Sequence, residues 1–300
     1  MELLITGAWQ GAKEHIPELE ERGHRVHFLQ YEKDELPCSP DQIEGVICNG
    51  LFLFHEISDF TNLRYIQLTS AGYDRVPIEY VREHNIEIHN ARGVYSIPMA
   101  EFAIAGVLNL YKKMDVFREN QKQHKWEKQR DLLEINSKTV CIFGCGSVGC
   151  ECAKRFAAFG ARIIGVDIVT DSKTEYGFEE VYSLSETMEV IRRSDIIVST
   201  LPLLDSTYHF WNIDKFSAMK SGTVFVNISR GKTVDTKTLI LRLKEKRIAG
   251  AVLDVFETEP LEDNSELWIL DNVVISPHNS FIGDNNHKRL IKVIRDNLFR

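Results

Sequence analysis

The stretch that most restricts what this chain can fold into runs from Thr139 to Asp167 and reads TVCIFGCGSVGCECAKRFAAFGARIIGVD. Val140–Phe143 is a continuous apolar run, as a strand buried on both faces should be. Gly144, Gly146 and Gly149 follow at once with the spacing G-x-G-x-x-G, and a helical pattern over residues 150–159 comes next. Each glycine answers a separate demand. Gly144 permits the tight turn, Gly146 lets the backbone approach a pyrophosphate, and Gly149 lets helix and strand pack closely. Ser147 and Val148 lie inside the same turn, where the helix start points N–H groups at phosphates. Asp167 ends the next strand, 21 positions beyond Gly146. A carboxylate there accepts hydrogen bonds from the adenosine ribose and repels a 2′-phosphate. Ile168, Val169 and Thr170 supply no arginine to offset that, so the motif implies NAD as cofactor rather than NADP.

The rest of the chain alternates in the same way. Apolar strands are expected at residues 140–143, 162–166, 196–200, 223–227, 250–254 and 273–275, with helices at 150–159, 184–193, 214–218 and 236–246. That pattern is a doubly wound parallel sheet. An earlier and smaller α/β series has strands at 3–6, 45–48, 65–69 and 86–89, with amphipathic stretches at 12–22 and 78–84. Between the two series a single long helix is expected from about residue 98 to 130, with Ser96 as N-cap and Pro98 in the first turn. Its apolar half, 100–110, should be mostly core. The fold class is therefore α/β, with two doubly wound parallel-sheet domains: a larger Rossmann-type NAD-binding domain and a smaller flavodoxin-like one.

Composition narrows the function. A length of 300 residues suffices for two cores. A formal net charge of −8 argues against a nucleic-acid partner. The seven lysines and arginines from Lys112 to Arg130 alternate with Asp115, Glu119 and Glu127 and read as a solvated face. No apolar run is long enough for a membrane span, and the chain opens directly on the strand Leu3–Thr6 without a secretory pattern, so a cytoplasmic protein is expected. The six cysteines form no C-x-x-C pair. They read as reduced thiols, and no metal site is expected.

Three segments that follow expected strands carry ionisable residues: VFVNISRG with Arg230, AGAVLDVFETEP with Glu259, and NVVISPHNS with His278. In open α/β sheets ligands gather beyond the carboxyl ends of the strands, so residues far apart in sequence can converge there. The set suits reduction of a 2-keto acid. Arginine offers a permanently charged planar fork to a carboxylate, and histidine can pass a proton to an oxygen that gains charge as hydride arrives. A carboxylate bonded to the imidazole fixes its tautomer and favours its charged form.

With these residues in view, the chain resembles the D-isomer-specific 2-hydroxyacid dehydrogenase family over nearly its whole length. The matching stretches are LTSAGYD (68–74), NARGVYSIPMAEFA (90–103), GCGSVG (144–149), SDIIVSTLPLLDST (194–207), NISRGKTVD (227–235), LDVFETEPL (253–261) and SPH (276–278). The resemblance implies that Arg230 binds and polarises substrate, that His278 is the general acid/base, and that Glu259 pairs with it. It further implies that Ala71 and Gly72 present N–H groups to the substrate carboxylate, that Asp254 contacts the nicotinamide carboxamide, and that Pro202, Thr207 and Ile228 line the cofactor cleft. Residues 1–93, completed by 280–300, would form the substrate domain. Residues 94–279 would bind NAD and supply the interface of a homodimer. The sequence departs from the family pattern after SPH, where Asn279-Ser280-Phe281 stands, so that Phe281 would shield or narrow the nicotinamide pocket. The C-terminal helix would also be short.

Two rivals share this scaffold. Phosphite oxidation also uses an Arg/Glu/His set, whereas formate-oxidising relatives carry glutamine at the Glu259 position. An NADH-sensing corepressor-like binding protein would keep the cofactor fingerprint without metabolic turnover. Substrate identity is not legible, although the apolar Asn49–Phe54 loop favours a hydrophobic side chain on the keto acid.

Overall fold

The computed structural model describes residues 1–299. Contacts divide the chain into two units: Met1–Tyr95 together with the segment from Gly283, and Ser96–Ile282.

The first unit is built on β1 (Glu2–Thr6), α1 (Ile16–Glu21), β2 (Arg25–Leu29), β3 (Gly45–Cys48), β4 (Tyr65–Leu68), α2 (Ile78–Glu83) and β5 (Glu87–His89). Its strands are all parallel in the order β2-β1-β3-β4-β5, the flavodoxin-like arrangement. Two local expectations needed correction. Strand β2, RVHFL, was not foreseen, because its arginine and histidine break the apolar run. It lies at the sheet edge, where Arg25 is exposed and Val26 to Phe28 are only half-buried. The helix expected over 12–22 is instead a 3-10 turn, Ala12–His15, followed by the short α1. Pro17 lies in the first turn of α1 and has no N–H with which to continue a helix from the preceding turn.

The second unit opens with α3 (Ser96–Tyr111) and α4 (Met114–Lys122). The single long helix expected here is therefore broken, with Lys113 in the left-handed region at φ 51°. The cause is the loss of an apolar stripe: α4 buries no residue, so packing does not reward continuing the first helix. Ser96 is the first helical residue rather than its cap, and it is buried. The apolar half does enter the core. Ala100, Ala103, Ile104 and Val107 pack with Val140, Ile142, Val198, Val226 and Val252. Gly106 makes this approach possible, since a Cβ there would stand 2.4 Å from Val252.

The sheet follows as β6 (Thr139–Phe143), α5 (Ser147–Ala158), β7 (Arg162–Val166), β8 (Phe178–Tyr182), α6 (Thr187–Arg193), β9 (Ile196–Ser199), α7 (Ile213–Ala218), β10 (Val224–Asn227), α8 (Thr236–Lys244), β11 (Gly250–Leu253) and β12 (Val273–Ile275). Strand β8 was missed in the sequence because Glu179 and Glu180 interrupt it. It is an edge strand that buries Phe178 and Val181 and exposes both glutamates. The order is β12-β11-β10-β9-β6-β7-β8, with every pairing parallel. All carboxyl ends therefore lie on one edge. The strand order reverses between β6 and β9, which is where an open α/β sheet opens its binding crevice. Helix α9 (Asn286–Leu298) belongs to the first unit and buries Leu290 and Ile294 with Leu3 and Ile5.

Candidate active site

The turn after β6 shows why three glycines are needed. Gly144 has φ +91°, and a Cβ on it would stand 2.9 Å from the Thr200 hydroxyl, which donates to Gly144 O at 2.6 Å. A Cβ on Gly149 would lie 2.1 Å from Gly144 O, so no side chain fits where α5 folds back on the strand. Gly146 is different, because nothing lies within 4 Å of where its Cβ would be. That open ground lies where α5 starts at Ser147 and Val148, whose free N–H groups are the kind that hold a diphosphate.

Two charged side chains hold this turn. Asp167 Oδ2 accepts from Cys145 N at 2.5 Å, and its Oδ1 accepts from Val169 N at 3.2 Å. Lys173 Nζ donates to Cys145 O at 2.6 Å. The lysine gives no signal in the sequence, because it falls three residues beyond Ile168–Thr170, where a phosphate partner is expected. Cys145 itself is inert: burial pushes its thiol up to about 12.

Farther along the same edge, the loop after β9 carries Pro202 and Thr207. The Thr207 hydroxyl donates to Pro202 O at 2.6 Å and accepts from Leu204 N at 2.7 Å, which closes the loop on itself. After β10, Ile228 is 1% exposed and its side chain packs in the core cluster. The next residues are tightly bound. Ser229 Oγ donates to Asn227 Oδ1 at 2.6 Å, Thr233 Oγ1 donates to Arg230 O at 2.7 Å, and Arg230 Nη1 donates to Ser229 O at 2.9 Å.

The last two strands deliver a histidine–carboxylate pair. His278 Nδ1 lies 2.7 Å from Glu259 Oε2, and Glu259 Oε1 accepts from Phe256 N at 3.0 Å. Both side chains remain accessible, at 42% and 36% of their surface. With Nδ1–H committed to the carboxylate, Nε2 is the nitrogen left to face a reactant. His278 has φ +53°, a conformation that costs energy for a residue with a Cβ. Asp254 beneath it holds the loop: Oδ1 accepts from Asn279 N at 2.7 Å and Ser280 N at 2.9 Å, and Oδ2 accepts from Ser280 Oγ. Its 1% exposure makes Asp254 a brace for the histidine loop, a task the sequence did not reveal. Phe281 stands perpendicular to the imidazole, with ring centroids 6.1 Å apart. Arg230 and His278 follow strands two places apart, so about 10 Å separates their strand ends. Long side chains and a small substrate can span that.

In the first unit, Ala71 and Gly72 follow β4. Asn90 Nδ2 donates to Ala71 O at 2.7 Å and Ser70 Oγ to Gly72 O at 3.1 Å, which ties back both carbonyls.

Comparison with known proteins identifies the family. The family described as D-isomer specific 2-hydroxyacid dehydrogenase, NAD binding domain, matches residues 104–280. A glyoxylate reductase of Korarchaeum cryptofilum is 32% identical over 243 residues, covering 79% of this chain and 72% of that protein. A hydroxypyruvate reductase of Thermotoga maritima is 34% identical over 220 residues, 72% of this chain and 70% of the relative. The solved 2-hydroxyacid dehydrogenase of Ketogulonicigenium vulgare superposes with a TM-score of 0.81 at 26% identity, covering 99% of this chain and 94% of the other. The chain therefore belongs to the D-isomer-specific 2-hydroxyacid dehydrogenase family, whose members are NAD-linked oxidoreductases of 2-hydroxy and 2-keto acids.

Proposed function

We propose that this protein reduces a small 2-keto acid to the D-2-hydroxy acid, and catalyses the reverse, with Arg230, Glu259 and His278 as its catalytic residues. The observation that carries this reading is the 2.7 Å His278–Glu259 pair on the same sheet edge as the glycine turn. NADH held at that turn would supply the hydride. The Arg230 guanidinium pairs with the substrate carboxylate and draws charge toward the ketone oxygen. Nε2 of the His278 imidazolium would give a proton to the substrate oxygen as charge builds on it. Glu259 holds the ring and offsets its charge. Ala71 and Gly72 are assigned to the substrate carboxylate and Asp254 to the nicotinamide end on the family resemblance. Pro202 and Thr207 are assigned to the cofactor on the same ground. The unit that begins at Met1 is taken as the substrate domain. NAD is preferred over NADP on the reading of Asp167 as the carboxylate that meets the adenosine ribose, and Lys173 is already engaged by Cys145 O.

The Asn49–Phe54 loop exposes Leu53 and Phe54, which favours an apolar substituent on the keto acid. The proposal also has the chain working as a cytoplasmic homodimer. Its six cysteines are unpaired, and no helix among the described residues is long and apolar enough to cross a membrane. Met114, Val116, Leu132, Leu133 and Trp126 are exposed apolar side chains near α4, with Trp126 97% exposed, as a surface awaiting a second copy would be.

The test is NADH oxidation with pyruvate, glyoxylate, hydroxypyruvate, 2-ketoisocaproate and phenylpyruvate, with NAD plus phosphite run alongside. Turnover of at least one keto acid is expected. Inactivity on all five, or activity on phosphite alone, would remove the assignment.

A further inference from the structure

Three loops that carry proposed site residues meet at one carboxylate, that of Glu257. Its Oε1 accepts from Thr236 N at 2.8 Å, where α8 begins after the Arg230 loop. Its Oε2 lies 2.8 Å from His209 Nε2. His209 lies two residues beyond Thr207 of the Pro202–Thr207 loop, at φ 47°, and its own N–H donates to Lys232 O at 2.9 Å. Two residues on, Trp211 pairs with Val234 in a short parallel bridge, which extends the seam between these loops. The Glu257 backbone takes part as well. A Cβ on Gly231 would stand 1.9 Å from Phe256 O and 2.6 Å from Glu257 N, so the Arg230 loop lies directly on this segment. Phe256 N in turn donates to Glu259 Oε1.

Burial opposes ionisation of Glu257. The bonds from Thr236 and His209 outweigh it and hold the carboxyl below the usual carboxylate range. The bridge is therefore a charged acceptor held by two donors from two different loops, about one-third exposed on each side of the His209 contact.

We propose that Glu257 and His209 are positioning residues for hydride transfer. They set the offset between the Arg230 loop and the Glu259–His278 pair without touching substrate. The inference rests on the reading of Arg230, Glu259 and His278 given above. Its physical content is that the bridge lies two residues from Glu259 and ties down the loop that Arg230 begins. Releasing it lets those two groups drift relative to each other, and an offset of about 1 Å between reacting groups can cost up to ~10²-fold in rate.

The test compares Glu257→Ala, Glu257→Gln and His278→Ala with the native protein. Sites are counted by NADH fluorescence titration, and turnover of the best 2-keto acid is expressed per NADH-binding site. Glu257→Ala should lower turnover per site by about tenfold or more and enlarge the isotope effect with deuterated NADH, as poorer alignment makes hydride transfer limiting. Glu257→Gln should recover to within about threefold, since its amide oxygen accepts from Thr236 and its amide nitrogen donates to a neutral imidazole. Native turnover per site in Glu257→Ala, with only Tm lowered and with His278→Ala inactive, would overturn the positioning role alone. Native turnover in His278→Ala would overturn the catalytic reading and this proposal with it.

Discussion

Each unit places a carboxylate beneath the loops at the carboxyl edge of its sheet, and the two carboxylates are used alike. In the smaller sheet Glu32 accepts from Thr6 Oγ1 at 2.8 Å, Asn49 N at 2.6 Å and Gly50 N at 2.7 Å. In the larger sheet Asp254 accepts from Asn279 N, Ser280 N and Ser280 Oγ. Both replace backbone pairing that a loop leaving a strand cannot find for itself. The loops differ in what they then present. The Asp254 loop presents an imidazole at positive φ with its own carboxylate partner. The Glu32 loop presents Leu53 and Phe54, which are 59% and 58% exposed. On the proposed function this amounts to a division of labour, in which the Asp254 edge would move the proton and the Glu32 edge would meet an apolar substituent.

The sharpest way to break this comparison is to remove the proton carrier. His278→Ala should lower kcat/KM for the best keto acid by roughly 10²–10⁴-fold while NADH binding by fluorescence stays native. Retained turnover would dissolve the distinction between the edges. Next come the two braces. Asp254→Ala leaves two loop amides without their acceptor and frees His278 from its strained conformation. It should lower stability by roughly 3 kcal/mol in a urea titration and take most of kcat with it. Glu32→Ala should cost a comparable or smaller stability, roughly 2 kcal/mol, and raise KM while leaving kcat within about threefold. If Glu32→Ala lowers kcat as far as Asp254→Ala does, the smaller sheet takes part in chemistry and the division fails. A third and smaller effect concerns Phe281, whose ring stands perpendicular to the imidazole. Phe281→Ala should change kcat by about threefold, because it removes one wall against water without removing a donor or acceptor.

The contrast also explains what was legible in the sequence. The larger sheet could be read because its strands are continuous apolar runs and its glycines each answer a steric demand, as the 2.1 Å approach at Gly149 shows. His278, Glu259 and Arg230 stood out as candidates because each follows such a strand. Edge strands β2 and β8 were not, since charged residues facing solvent break their pattern. Glu32 went unnoticed with β2, because a residue beyond an unseen strand has no reason to stand out. The bracing roles of Asp254 and Glu257 depend on which loops meet in space, and no local spacing encodes that. The break at Lys113 was hidden for a related reason. Helical residues continue on both sides of it, and only the absence of anything for α4 to bury separates them.

The finest test of the comparison lies in the loop above Glu32. Phe54 is 58% exposed, so Phe54→Ala should leave stability within about 0.5 kcal/mol and Tm nearly unchanged. Any change in catalysis then reports recognition rather than folding. Glyoxylate has no side chain and serves as an internal reference, since it exerts no demand on an apolar wall. Phenylpyruvate and 2-ketoisocaproate do, and loss of an apolar contact is worth about 1–3 kcal/mol in discrimination. A partly exposed ring should sit at or below the low end of that range, so kcat/KM for the larger acids relative to glyoxylate should fall by about 2- to 5-fold. A ratio that stays constant in Phe54→Ala and in Leu53→Ala would mean that the smaller sheet's apolar edge does not read the substrate, and the side chain of the keto acid is then selected on the larger sheet, where Phe281 is the first residue to vary.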